Sequence, residues 1–228
     1  MTCYTIGYDV GKQVDPSACV VCERIVRILP HVSAEPKVES IYRVVHVQEL
    51  LHTPYDAQID FLAALMSKPE MRHDAALVFD ATGVGAAFGD MVQAAYREGR
   101  LGCCFWPHGA SIVAGDGRPG TGVGYSEPTV KKIDLVARLR VLLDEKRFQV
   151  PVGIPGGEQL LKELRAFTAK PGATGTWTYE NATAAIHDDL CIAAMFAVYF
   201  QNWNARPRCL DADGSVHEQD GTSYGRYA

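Results

Sequence analysis

His187-Asp188-Asp189 stands at the head of an apolar run, Leu190, Ile192, Ala193, Met195, Phe196, Val198 and Tyr199, so two adjacent carboxylates open a helix otherwise made for burial. Charge placed that close to a core normally has a partner. Two further aspartates end apolar, strand-like runs upstream: Asp9 in Thr5-Ile6-Gly7-Tyr8-Asp9 and Asp80 in Ala76-Leu77-Val78-Phe79-Asp80. Carboxylates arriving from separate segments, with no supporting cysteine or histidine cluster, form a hard-oxygen donor set suited to Mg²⁺ or Mn²⁺ rather than zinc. The chemistry such a set serves is metal-assisted phosphodiester hydrolysis. Taken singly, each residue has a plainer role: an Asp at a strand end is a turn residue, Asp188 caps its helix, and Asp189 complements the first-turn dipole. The three matching contexts taken together, with His187 alongside, point to a site.

The elements that must bring these residues together follow from periodicity. Tyr4 to Asp9, Ala18 to Leu29 and Val38 to Val47 are rich in Val and Ile and separated by Gly, Pro and polar clusters, which predicts a meander of three strands. Helical spacing takes over at Ile59, Leu62, Ala63, Leu65 and Met66, and a strand returns at Ala75 to Phe79. Gly83, Gly85 and Gly89 lead into a second helix carrying Phe88, Met91, Val92, Ala95 and Tyr96, followed by the apolar run Leu101 to Trp106. That strand-helix-strand unit is expected to be right-handed and parallel. A glycine-rich loop spans Pro107 to Pro128, with one short apolar piece, Ser111 to Ala114. Thr129 is placed to cap the next helix, whose apolar positions are Val130, Ile133, Val136, Ala137, Leu139 and Leu143. Phe148 to Val150, a short helix over Glu158 to Phe167, and an extended Trp177-Thr178-Tyr179 precede the His187 helix. The pattern is α/β with a mixed sheet. If the strands ending in Asp9 and Asp80 are parallel neighbours, both carboxylates lie on one sheet edge, where ligand sites in such sheets form.

Composition bounds the reading. The chain has 228 residues, 47% hydrophobic and 21% charged, which is ordinary for a globular protein. No stretch approaches the roughly 20 consecutive apolar residues of a membrane span, and no basic leader or cleavage site precedes the first strand, so a cytoplasmic location is expected. One domain over residues 1–203 with a polar tail over 204–228 is expected, the tail being open to disorder or partner docking. Seven irregularly spaced cysteines argue for reduced thiols rather than a disulfide framework. Cys19 and Cys22 sit three apart in a strand-like run, which sends them to opposite faces and favours structural thiols. Net charge is −5. From Thr129 to Lys170, however, nine basic residues stand against five acidic ones, so that segment is +4 and the remainder −9. Lys131, Lys132 and Arg138 in it are candidates for contact with nucleic-acid phosphates, and ordinary solvated helix faces would account for the same pattern.

Rival motifs fit less well. After Gly83 and Gly85 the third position of G-x-G-x-x-G is Phe88, and Asp80 would set negative charge beside a pyrophosphate. No G-x-x-x-x-G-K-[ST] occurs.

Asp9 on a first strand, Asp80-x-x-Gly83 after a later one, the Lys131 helix, Leu160 to Phe167 as a Leu-x-x-Glu-Leu-x-x-Phe-like pattern, and His187-Asp188-Asp189-Leu190 together resemble the nuclease domain of phage terminase large subunits. The likeness spans almost the whole chain, and His-Asp-Asp is its most specific element. It implies a ribonuclease H-like fold, a mixed five-stranded sheet flanked by helices with the second strand antiparallel. It also implies an endonuclease acting on double-stranded DNA, with two Mg²⁺ or Mn²⁺ ions held about 4 Å apart, bridged by Asp9 and flanked by Asp80 and by Asp188 or Asp189. Such a pair activates water for in-line attack and stabilises the leaving 3′ oxygen, giving 5′-phosphate and 3′-hydroxyl ends. His187 is an auxiliary candidate, for orienting a carboxylate or moving a proton. By the same resemblance the partners are a packaging ATPase domain, a small terminase subunit and a portal, in the cytoplasm of a host cell carrying a virus or prophage. The chain starts almost at the nuclease's first strand, consistent with either an excised domain or a stand-alone protein. The alternatives are a structure-selective, Holliday-junction resolvase-like nuclease, and a non-catalytic scaffold or docking module whose acids are only caps.

Overall fold

The computed structural model describes residues 4–11, 16–29, 37–72, 74–102, 108–113, 129–171, 177–181, 187–199, 208–210 and 216–218. Its centre is a sheet built on β1 (Tyr4–Asp9), β2 (Ser17–Leu29), β3 (Lys37–Leu50), β4 (Ala75–Asp80) and β5 (His108–Val113), in the spatial order β3-β2-β1-β4-β5. β2 runs antiparallel to both β1 and β3, whereas β1, β4 and β5 are mutually parallel. This is the ribonuclease H-like arrangement expected from the sequence, with the second strand reversed. Short strands extend it: β6 (Thr129–Lys131) beside β5, β7 (Phe148–Gln149) beside β3, and β10 (Arg208–Leu210) beside β2, itself paired with β11 (Val216–Glu218). β8 (Phe167–Pro171) and β9 (Trp177–Asn181) form a separate hairpin.

Alternation along the strands sorts side chains onto two cores. On one face Tyr4, Ile6 and Tyr8 of β1 and Leu77 and Phe79 of β4 pack under α1 (Tyr55–Met66) and α2 (Val84–Arg97). On the other, Ala18, Val20 and Cys22 of β2 and Val78 of β4 pack under α3 (Lys132–Asp144), α4 (Gly157–Ala166) and α5 (Asp189–Tyr199). Cys19 belongs to the first core and Cys22 to the second, as their spacing predicted, and both thiols are buried. No helix among the described residues is long and apolar enough to cross a membrane.

Two boundaries differ from expectation. Among the described residues β4 pairs in parallel with His108–Val113, a stretch expected to be loop, whereas of the expected strand Leu101 to Trp106 only Leu101 and Gly102 are described. Leu101 is not in a strand but is buried among the residues of the α1/α2 core, so its apolarity serves packing rather than pairing, while residues 103–106 of that run lie outside the described residues. Thr129 does not cap a helix: it begins β6, and Lys131 occupies the cap position of α3.

Position Gly7 controls how the second core closes. α5 is buried along its whole length from Leu190 to Val198, and it lies so close to β1 that a Cβ on Gly7 would stand 1.9 Å from the carbonyl oxygen of Ala193 and 2.6 Å from the amide of Ala197. Ala193, Ala194 and Ala197 keep the facing helix equally slim. The fully buried Met195, Phe196 and Val198 each contribute roughly 1.5–3 kcal/mol of apolar burial, so packing rather than intrinsic helix preference holds α5 in place.

Gly7→Ala is therefore expected to cost at least about 1–3 kcal/mol, as overpacking against backbone that has nowhere to move. Urea denaturation checks this, with a lower midpoint at unchanged slope as the expected outcome.

Candidate active site

Asp9 and Asp80 are the last residues of adjacent parallel strands, and because Tyr8 pairs with Phe79 they stand side by side one step further along. Gly7 faces α5, so the period of two turns Asp9 to the same side of the sheet, and Asp80 follows Val78 onto that side. α5 runs antiparallel to β1, since Gly7 meets its middle while Asp9 feels the charges of Asp188 and Asp189 at its start. One sheet edge and one helix amino terminus thus bring together all four acids singled out from sequence.

Their electrostatics are strongly coupled. Burial pushes the Asp9 carboxyl well above the usual carboxylate range, and Asp80, Asp189 and Asp188, in that order, push it further, with Lys132 opposing them. Asp80 is also raised by burial, offset in part by hydrogen bonds from Thr82. The backbone N–H of Thr82 donates to Asp80 Oδ1 at 2.7 Å, and the Thr82 hydroxyl oxygen accepts from the N–H of Ile112 at 2.9 Å, tying the turn after β4 to β5. Gly83 takes φ +61° in that turn, and a Cβ on Gly85 would stand 1.9 Å from the Asp80 carbonyl oxygen, so these glycines let α2 begin directly behind the carboxylate. On the far side of Asp9, the Tyr8 hydroxyl donates to Gln58 Oε1 at 2.6 Å and the Ser17 hydroxyl donates to the same oxygen at 3.1 Å, while the N–H of Gly11 donates to Ser17 Oγ at 3.1 Å. This buried network fixes the chain as it leaves Asp9.

Lys132 Nζ lies 3.6 Å from Asp188 Oδ2 and 5.7 Å from the centre of the Phe167 ring, which places the ammonium at the margin of the acid cluster. Lys131 precedes it at the junction of β6 and α3. Arg138 is engaged elsewhere: its Nη2 donates to the Tyr42 hydroxyl at 2.7 Å and its guanidinium carbon sits 5.5 Å from that ring's centre. His187 is exposed, with Nδ1 3.6 Å from Asp189 Oδ2.

Glu163 was visible in the sequence only as part of a motif, and the structure gives it a definite place. Fully buried on α4, its Oε2 accepts the backbone N–H groups of Leu190 at 2.9 Å and Cys191 at 3.2 Å, and Gln159 Nε2 donates to its Oε1 at 3.2 Å. Burial raises its carboxyl to about 7 in spite of those bonds. The signal is its spacing: Glu163 stands three residues after Leu160 on an amphipathic helix, and a carboxylate on a buried stripe requires a partner.

No three His, Cys, Asp or Glu side chains among the described residues close into a ready-made cage. The physical reason is repulsion, since these acids face one another with Lys132 as their neighbouring cation, and Asp80 and Asp188 lean on Thr82 and Lys132 instead. The donor set nevertheless fits a hard divalent cation: it is all oxygen and crowded with negative charge that burial makes costly. Burial also pushes the Cys191 thiol up, away from service as a soft ligand.

The raised carboxyls fix the sign of a pH effect. A group whose folded value exceeds its unfolded one binds more protons folded, so the stability it confers is lost as pH climbs from about 4 upward. The melting temperature in EDTA is expected to fall between pH 5 and pH 8, less steeply in Asp9→Asn, and Mn²⁺ is expected to reverse the trend in the wild type. Thermal melts across that range decide it, and equal slopes for the two proteins would contradict the coupling.

No protein-family model and no curated protein matches this sequence. Solved structures are. The large terminase nuclease from thermophilic phage G20c with bound magnesium superposes with a TM-score of 0.55 at 21% identity, covering 86% of this chain and 80% of that one. The P22 large terminase nuclease domain gives 0.51 at 14% identity, over 88% of this chain and 81% of that one. A variant nuclease domain of the large terminase subunit of bacterial virus Sf6, with manganese and beta-thujaplicinol, gives 0.54 at 13% identity, over 86% and 88%. The chain has the ribonuclease H-like fold of phage large terminase nuclease domains, over most of its length.

Proposed function

We propose that this protein is a Mg²⁺- or Mn²⁺-dependent endonuclease that hydrolyses phosphodiester bonds of double-stranded DNA, in the manner of the nuclease that cuts DNA during phage packaging. The observation that carries the reading is the convergence of Asp9 and Asp80, from adjacent parallel strand ends, on the start of the helix bearing Asp188 and Asp189. Caps and turn residues have no reason to gather where they raise one another's charge cost. The solved structures of the same fold are nuclease domains, two of them described with magnesium or manganese, which agrees with the chemistry of this donor set.

In this reading Asp9, Asp80 and Asp188 or Asp189 would hold the pair of cations. Bound cations would supply a nucleophile at neutral pH and neutralise charge at the phosphorus. The chain's own residues do the rest. Thr82 fixes the Asp80 carboxylate through its backbone N–H, and the Tyr8, Gln58 and Ser17 network keeps the segment after Asp9 from swinging out. Lys132 faces the same cluster and is placed to meet a scissile phosphate as the carboxylates become occupied, with Lys131 beside it for a flanking phosphate. Arg138, held by Tyr42, supports β3 more than it reaches outward. His187, exposed next to Asp189, is positioned to accept or relay a proton at the rim. By the same reading the partners are a packaging ATPase domain, a small terminase subunit and a portal, inside an infected or lysogenic cell.

Supercoiled plasmid incubated with Mg²⁺ or Mn²⁺ is expected to be nicked and linearised by the wild type. Asp9→Ala and Asp80→Ala should each lose more than about 100-fold in rate, beyond the 10–100-fold typical of groups that only support a ligand. Cutting by those two variants at the wild-type rate overturns the proposal, and preference for four-way junctions over linear duplex would move it to a resolvase.

A further inference from the structure

Asp188 occupies the N-cap of α5: its carbonyl oxygen accepts the first helical bond, from the N–H of Ile192 at 2.9 Å, and the helix begins at Asp189. An aspartate at that position ordinarily folds its side chain back onto the amides two and three residues on, here Leu190 and Cys191. Those amides are already taken, by Glu163 Oε2 at 2.9 and 3.2 Å, from a helix 27 and 28 residues earlier in the chain. The Asp188 carboxylate points instead to Lys132, with Oδ2 3.6 Å from Nζ, and adds its charge to that felt by Asp9.

We infer that Glu163 is a positioning residue for the candidate metal centre: by capping α5 from outside, it releases Asp188 from self-capping and makes its carboxylate available to a divalent cation. This rests on the endonuclease reading for the use of that carboxylate, but the capping exchange itself is independent of it. Three features of the surroundings make the arrangement specific. Glu163 is fully buried, so water does not compete for the amides. Gln159 donates to Oε1 and leaves Oε2 to the helix. Leu160 and Leu164 on the same helix, packed with the α5 core, set the distance at which α4 approaches α5. Remove the Glu163 oxygen and two helix-end amides are left buried and unmet, and the N-cap side chain of Asp188 is the acceptor the helix itself offers them.

Two measurements test this. In the metal-free protein, Asp188→Ala and Asp188→Asn are expected to melt at the same temperature, because neither alanine nor asparagine is asked to cap. In the Glu163→Ala background the same pair should separate, asparagine melting higher. An alanine variant melting about 3 °C or more below the asparagine variant in the presence of Glu163 would show that Asp188 caps its own helix, and overturns the inference. Second, calorimetric titration with MnCl₂, well below each melting point, should show binding weakened at least about tenfold in Glu163→Ala, with Glu163→Gln, whose amide oxygen still accepts from both amides, within about threefold of wild type. A Glu163→Ala protein that is less stable yet binds Mn²⁺ as the wild type does also overturns it. A wild type that takes up no Mn²⁺ in a manner sensitive to Asp9→Ala overturns the endonuclease reading instead, and the melting comparison still decides the capping exchange.

Discussion

The contact of α5 with β1 at Gly7 is the constraint on which the rest of the structure depends. A helix that meets a strand backbone to backbone, with alanines on one side and no side chain on the other, is fixed in depth and in register more tightly than one riding on large side chains. That register decides where the first turn of α5 falls. Because Gly7 and Asp9 share a face and the helix runs antiparallel to the strand, the close contact at the middle of α5 sets its acidic amino terminus beside the end of β1. A bulkier residue at position 7 would lift the helix and draw Asp188 and Asp189 away from Asp9 together.

The acids that result are costly to keep together. Burial raises both Asp9 and Asp80, the charges of Asp80, Asp189 and Asp188 raise Asp9 further, and the helix whose start carries the last two acids is apolar everywhere else. The structure offsets this in separate ways at each point: a backbone N–H at Asp80, an ammonium at Asp188, and a capping glutamate that leaves Asp188 its freedom. Stability and site are in tension here, as they are wherever a binding constellation is assembled before its ligand.

Local periodicity carried much of this. The alternation in Tyr4–Asp9 and Ala75–Asp80 named the strands and their terminal aspartates, the spacing of Cys19 and Cys22 named their opposite faces, and the apolar run after Asp189 named the buried helix. What local pattern does not encode is the identity of a distant partner. The bond from Glu163 to the start of α5, the sharing of Gln58 by Tyr8 and Ser17, and the closeness of Gly7 to Ala193 each join segments far apart in the chain. Leu101 differs for a related reason: an apolar residue beside a core reads as strand when it is buried in that core outside the sheet. Asp188 meets the same limit: the sequence offers it both as a cap and as a ligand, and the bonds from Leu190 and Cys191 to Glu163, which bear on that choice, come from a helix that local pattern does not connect to it.

The most direct measurement of the central claim is anomalous diffraction from crystals of the protein soaked in Mn²⁺. The account predicts manganese density bounded by the carboxylates of Asp9, Asp80 and the first turn of α5. Manganese bound only at other surface acids, with these carboxylates still leaning on Thr82 and Lys132, would contradict it.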